Sequence, residues 1–450
     1  MPGPGGQRDT SSTKHLPVIV VGAGMAGLTC AVELCQAGRD VLVLEGSDGI
    51  GGRVRTDRHP EGFLLDRGFQ VLLEAYPAVR RQIDVEELRP AAFDAGALVW
   101  TGQRLVPLAD PFRHPTALPR DLTTPLFGAG DKLRLAALAG RTRLAGWETA
   151  NEAAGDPAGD QSAARMLWSA GLSRAFVDHF ARPFWGGILL DRELTTSAGP
   201  LRFTLKMFLE GNAVLPADGM QAMPELLAAR LPLGAIRVNR LVEAIVTEGG
   251  SVTGVRAGGE TIPATDVVVA TDPPTAHRLT GIASIPVEPV GCTTVYLTAS
   301  EDGGVTPPLG RRLALDGTGT LAVNHLAPLS IVAPSYAPRG KHLLAAVLLG
   351  EWARHPDDEA VARRARDDAA RMMGHEPGAW RPLATVRVPF SQYAQPPGIY
   401  GTLPDVITPT TGLYLAGEAT VDSSHNGAVT SGELAAAAVL KSAQKLIADG

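Results

Sequence analysis

Apolar and polar positions fall into blocks along this chain, and the blocks have two different periods. Val18–Val21 is a short, β-branched apolar run that reads as a buried parallel strand. Glycines follow at 22, 24 and 27, and then a helical pattern over residues 26–37 that Gly38 stops. A second apolar run, Val41–Leu44, ends on an acid, Glu45. The same order returns near the other end of the sequence. Residues 413–416 read as a strand that ends on Gly417 and Glu418, and Gly427, Ala428 and Val429 open an alanine-rich helix. Residues 266–271, DVVVAT, read as one more short strand. Between these blocks, Asp131 is placed to cap a helix carrying Leu133, Leu135, Leu138 and Leu144, with Lys132, Arg134, Arg141 and Arg143 interleaved. That helix can either pack on the domain or lie on a membrane surface. Residues 357–373 read as a helix capped by Asp357 and ended by Gly374, with a charged, solvated face. Residues 293–298 and 343–349 are strand-like, and 301–309 reads as a turn.

The first block carries chemistry. Gly22, Gly24 and Gly27 have the G-x-G-x-x-G spacing: a tight turn, a close backbone approach to a pyrophosphate, and close packing of helix on strand. The helix after them aims free N–H groups and a positive dipole end at the phosphates. Glu45 stands about twenty residues on, where a carboxylate accepts from a ribose hydroxyl. Gly51, Gly52 and Arg53 follow almost at once, suited to a long cofactor with the arginine near its diphosphate or sugar chain.

With these segments in view, GAGMAGL, Glu45, GGRVRT and the late LAGEA and NGAVTSGELAA together resemble the amine oxidase/phytoene desaturase superfamily of FAD-dependent oxidoreductases. LPADGMQAMPELLAARL, IRVNRLVEAIV and DVVVAT fit the same resemblance. It implies an α/β fold. A discontinuous, Rossmann-like FAD domain would comprise residues 16–75, 214–271 and 396–450, after a disordered leader at 1–15. An α+β substrate domain of mixed sheet and helices would comprise residues 76–213 and 272–395. It further implies an FAD site from Gly22, Gly24, Met25, Ala26, Gly27, Glu45, Gly51, Gly52, Arg53, Gly68, Phe69, Gln70, Val242, Ala270, Gly417, Glu418, Gly427, Ala428 and Val429.

Departures from the pattern point to a branch. Amine oxidases of the superfamily usually carry an aromatic cage residue in the last motif, where this chain has Asp422-Ser423-Ser424-His425-Asn426. They also place a lysine near the flavin early in the second substrate segment, and residues 273–300 contain none. Cys30 and Cys35 lie in the first helix and Cys292 in an apolar strand, so noncovalent FAD is expected. The x-GAV-x-SG form and residues 324–344 lean towards desaturases. The expectation is a dehydrogenase of an apolar, isoprenoid-like substrate, with oxygen or a quinone as electron acceptor. A hydrogen-peroxide-producing amine oxidase and a flavin-binding protein without turnover stay open.

Bulk properties narrow this little. The chain's 450 residues suggest two or three domains. A net charge of −6, with no basic stretch interleaved with aromatics, gives no reason to expect a nucleic-acid partner. Three cysteines are too few for a disulfide framework, so a cytoplasmic setting is the default, with peripheral membrane contact allowed. FARPFWGG, residues 180–187, concentrates aromatics in a chain with few. Phe184 and Trp185, with Ser424, can line an apolar pocket or simply fill a core, and Phe203, Met207 and Phe208 carry the same ambiguity. His425 is the candidate base, its ordinary pKa being near neutral, and equally a candidate helix cap. Arg67 is expected to pair with Asp66.

Overall fold

The computed structural model describes residues 16–109, 126–301 and 306–448. The expected leader lies outside the described residues, as do residues 302–305 of the expected turn. One half of the molecule is centred on a five-stranded parallel sheet in the order Ile236–Arg237, Val41–Leu44, Val18–Val21, Val267–Val269, Leu413–Leu415. Every side chain of Val18–Val21 is buried, as a strand covered on both faces requires. Each such Val or Leu contributes on the order of 2 kcal/mol of burial.

The helix after the first glycine turn is Met25–Gln36, one residue earlier than its sequence pattern suggests, and the last helix, His425–Ala448, starts two residues before Gly427. These two helices pack side by side. A Cβ on Gly432 would stand 2.4 Å from the Ala26 carbonyl oxygen, so this glycine sets how closely the two helices approach. The chain's distant ends are thereby joined in one apolar core with Val18, Leu28, Val268, Val429 and Val439.

IRVNRLVEAIV is not one strand. Ile236–Arg237 forms the sheet edge, Asn239 turns the chain with φ of 54°, and Val242–Glu248 starts a separate antiparallel sheet with Ser251–Ala257 and Glu260–Pro263. The short asparagine side chain tolerates that left-handed conformation.

The other half holds a mixed seven-stranded sheet in the order Arg381–Tyr393, Pro289–Ser300, Lys341–Leu348, Val323–Ala327, Leu313–Asp316, Gly96–Trp100, Leu105–Ala109. The strand-like runs at 293–298 and 343–348 lie on two adjacent interior strands of it, and Leu349 falls just beyond the second. Alternate residues serve two cores. Val295, Leu297, Leu344 and Ala346 pack on the helix Asp358–Met373, while Tyr296, Leu343 and Ala345 face Phe63, Leu215 and Tyr336. Asp357 and Gly374 cap that helix as their residue types dictate.

Asp131 does not cap its helix. The helix is Ala129–Arg143, capped at Gly128, and the buried Asp131 carboxylate instead accepts hydrogen bonds from Ser173 N and Oγ, each at 2.7 Å. Leu133 and Leu144 stand exposed, and Leu138 is buried.

Candidate functional site

Both glycine turns converge on one side of the parallel sheet. Gly22 has φ of +104°, and a Cβ there would sit 2.7 Å from Ala270 O. Gly27 has no room for a Cβ either, which would lie 2.0 Å from Gly22 O. Gly24 differs: a Cβ on it would meet no protein atom within 4 Å. The protein's own packing therefore gives no reason for glycine at 24, whereas a ligand lying against that backbone does. The second turn, Gly51 and Gly52, lies against the first. Gly51 N donates to Ala23 O at 2.8 Å, and a Cβ on Gly52 would be 3.6 Å from Gly24 Cα. Glu45 braces the turn, its carboxylate accepting from Ala23 N and Ser47 N, each at 2.8 Å.

A cavity of about 820 Å³ begins at these turns. Gly22, Gly24, Met25, Ala26, Glu45, Gly51, Gly52, Arg53, Gly68, Phe69, Gln70, Val242, Ala270, Gly417, Glu418, Ala428, Ser424, His425, Phe184 and Trp185 all line it. Gly27, Gly427 and Val429 do not. Gly27 is a packing glycine, Gly427 lies against Asp422 O, and Val429 is buried in the core. Their place in the motif comes from local packing, Gly27 against the first turn and Ala270, Gly427 against Asp422, and Val429 in the core.

Arg53 reaches across the cavity wall. Its Nη1 donates to Ser391 O at 2.8 Å and lies 2.5 Å from Glu418 Oε1. Glu418 is 5% exposed; Ser423 Oγ donates to its Oε2, and its Oε1 pairs with Arg53 by charge without an aligned hydrogen bond. Ser424 is held locally: its hydroxyl donates to Asp422 and accepts from Gly427 N at 2.9 Å, the capping role considered for His425. Burial raises the Asp422 carboxyl, which also accepts from Ala150 N at 2.8 Å.

His425 begins the last helix with its ring half-buried in the cavity wall and its Nε2 3.1 Å from Gln70 Oε1. Burial, and then the Arg53 charge, lower its pKa to about 4. The imidazole is neutral at physiological pH and a far weaker base than an ordinary histidine. Arg67 does not pair with Asp66. It forms a two-point ion pair with Asp57, at 2.9 Å for both contacts. Asp66 is buried, receives hydrogen bonds from Thr56 Oγ1, Met220 N and Tyr336 Oη, and is raised to about 6, burial being the main cause.

At the far end the wall becomes aromatic. Phe180 and Phe184 stack at 5.3 Å, Trp185 meets Phe184 edge-on at 5.2 Å, and Phe208 lies 5.4 Å from Phe184. The helix Arg182–Leu189 that carries Phe184 is preceded by a π-turn at Val177–Ala181, a widening of the helix that is common near ligand sites. Phe203 also lines the cavity, stacked on Tyr76, whereas Met207 is core.

Residues not anticipated from the sequence complete the wall: Cys292, His325, Ser391 and Gln392. His325 is 4% exposed, with its pKa lowered to about 4 by burial and then by Arg192. These four lie on strands of the mixed sheet, where the apolar pattern marks burial without marking the cavity. A histidine inside the apolar run Val323–Ala327 was the one available signal.

The site fits an elongated dinucleotide. The space at Gly24 suits a pyrophosphate beside the free N–H groups of the first helix, Glu45 suits a ribose, and the buried, under-bonded Glu418 Oε1 suits a hydroxyl of a sugar chain.

Comparison with known proteins agrees. The family model of flavin-containing amine oxidoreductases matches residues 25–440. The L-amino acid oxidase Lm29 of Lachesis muta is 48% identical over 79 residues, a match covering 17% of this chain and only 15% of that protein. Among solved structures, the fold is similar to cyclohexylamine oxidase from Brevibacterium oxydans (TM-score 0.69, 18% identity, 96% of this chain and 100% of that one). It is equally similar to an oxidoreductase from Methanosarcina mazei (TM-score 0.69, 18% identity, 95% and 100%).

Proposed function

The chain belongs to the flavin-containing amine oxidoreductase family, whose cofactor is FAD, and from that premise we propose that it is a dehydrogenase of an apolar, isoprenoid-like substrate. The carrying observation is the cavity itself, which runs from the glycine turns into a chamber walled by Phe127, Phe180, Phe184, Trp185 and Phe208. A buried ammonium substrate calls for a counter-charge. Among the described residues, the buried acids lining the cavity are already engaged: Glu418 with Arg53 and Ser423, Asp422 with Ala150 and Ser424.

In this reading the proposed FAD-binding residues are the cavity-lining members of the expected set, with Gly24, Glu45, Arg53 and Glu418 along the cofactor's length. FAD, when bound, would supply the hydride acceptor for a substrate C–H, with a proton lost from the neighbouring carbon to solvent so that a double bond forms. The chain's part is to hold that C–H in place and exclude water, which the aromatic wall does. FAD is held without a covalent bond. Cys292 lines the cavity, but burial raises its thiol and outweighs the opposite pull of Ser391 Oγ 3.5 Å away, so it is a poor nucleophile. Oxygen or a quinone would be the electron acceptor. Among the described residues no helix is long and apolar enough to cross a membrane; a cytoplasmic protein with peripheral membrane contact is proposed.

A second reading is favoured by the likeness to cyclohexylamine oxidase, since the same chamber would seat the ring of an apolar amine. Anaerobic mixing of the FAD-loaded protein with a panel of isoprenoids, amines and amino acids separates these. Bleaching of the flavin by isoprenoids supports the proposal. Bleaching by amines alone, with hydrogen peroxide formed in air, supports the second reading and overturns the first. Photoreduction without bleaching by any compound marks a flavin-binding protein without turnover.

A further inference from the structure

The chain Arg53–Gln70–His425 fixes which nitrogen of a cavity histidine carries the proton. Gln70 Nε2 lies 2.9 Å from Arg53 O and 3.5 Å from Arg67 O. Carbonyl oxygens only accept, so the amide nitrogen must occupy that end of the side chain. Its oxygen, Oε1, then faces His425 Nε2 at 3.1 Å and can only accept. His425 Nε2 therefore bears the hydrogen, and in the neutral ring Nδ1 keeps its lone pair. Among the described residues no hydrogen bond is made to Nδ1, and the ring forms part of the cavity wall. The ring's position is fixed independently. The neighbouring Asn426 is fully buried, accepting from Ala78 N at 2.8 Å and donating to Glu148 O at 2.7 Å, which anchors the start of the helix.

We propose that Gln70 is a positioning residue that locks His425 as its Nε2–H form, so that Nδ1 accepts a hydrogen bond from a hydroxyl or amino hydrogen of an otherwise apolar substrate. The inference rests on the apolar-substrate reading above and narrows it: the substrate carries one donor group. The charge that bears on the ring is that of Arg53, which opposes its second proton; Glu418 and Asp422 line the same cavity and are already partnered. The ring therefore remains an acceptor through the neutral range.

Farnesol, farnesal and farnesene test this, because they share a tail and differ in offering a donor, an acceptor only, or neither. Affinity is read from the shift of the flavin absorption band in the FAD-loaded protein. The expected result is farnesol bound about tenfold more tightly than the other two, the preference vanishing in Gln70→Leu. In Gln70→Glu the carboxylate still accepts the Nε2 hydrogen. The preference then survives at pH 8 but is lost at a higher pH than in the wild type, because the added charge favours the second proton. A merely structural Gln70 would leave the farnesol preference in Gln70→Leu at its wild-type value. Should Gln70→Leu fail to fold, nitrogen-15 NMR of the wild-type ring decides: protonated Nε2 and bare Nδ1 support the inference, and the reverse overturns it. Equal affinities for the three ligands, or tighter binding of farnesal, overturn the inference and leave the apolar reading standing. If none of the three binds while putrescine or L-leucine does, both fall.

Discussion

The two ends of the cavity are built from different materials. At the nucleotide end the wall is main chain: Gly22, Gly24, Gly51 and Gly52 bring backbone together, and Glu45 braces it from a strand end. At the chamber end the wall is side chain, with Phe180, Phe184, Trp185 and Phe208 packed ring on ring. A backbone wall holds a pyrophosphate by N–H groups and a helix dipole and tolerates almost no substitution. An aromatic wall recognises shape and apolarity, and one ring can change without disturbing the rest. The first therefore suits the cofactor shared across the family, the second a substrate particular to this chain.

The severest damage comes from the backbone end. Gly22→Ala combines left-handed strain with a Cβ 2.7 Å from Ala270 O, and the expected loss is about 4 kcal/mol of folding stability, measured by urea denaturation of the apoprotein. A loss below 1 kcal/mol would show that the turn yields easily.

The next effect belongs to the chamber. His325 is held neutral, its pKa about 4 against an unfolded value near 6.5. The unfolded chain therefore binds the extra proton first as pH falls. The stability that His325 contributes is complete above about 6.5 and is lost progressively down to about 4, a change of up to about 3 kcal/mol. His325→Phe should flatten the stability profile between pH 7 and 4.5; an unchanged slope would place the titration elsewhere.

Arg53→Leu tests the junction of the two ends. It strips Glu418, 5% exposed, of its cation, and because Arg53 is partly exposed the expected cost is about 2 kcal/mol, read as a fall in Tm. Glu418→Gln in the same background should recover part of it. The smallest effect is Phe184→Ala, with farnesol affinity reduced about tenfold and Tm little changed, as expected for one ring on a cavity wall.

The same contrast explains what was legible in the sequence. Gly22, Gly24, Glu45, Gly417 and Glu418 were readable because backbone-built sites need particular residues at fixed spacing. The Rossmann-like fold was readable for the same reason, since apolar strands must be followed by turns that only glycine fits. The chamber was readable only as an excess of aromatics at residues 180–187. Its depth depends on Phe208, which packs on Phe184, and on His325, which meets Phe69 edge-on, both through tertiary packing. Charge partners were the least legible. Arg67 passes over its sequence neighbour Asp66 for Asp57, because Asp66 points into the core and is satisfied there by Thr56, Met220 and Tyr336. Asp131, apparently a cap, is buried against Ser173 for a similar reason: a partner distant in sequence outweighs the local backbone.

The most direct test of the two-ended cavity is FAD affinity measured side by side in Gly24→Val and Phe184→Ala. A side chain at Gly24 occupies space that the protein leaves open and blocks the backbone from the phosphates. The account predicts that Gly24→Val folds normally but loses FAD affinity by about 100-fold, the worth of two charge-assisted hydrogen bonds, while Phe184→Ala holds FAD as the wild type does. Undiminished FAD binding by Gly24→Val, or an equal loss in both variants, would contradict it.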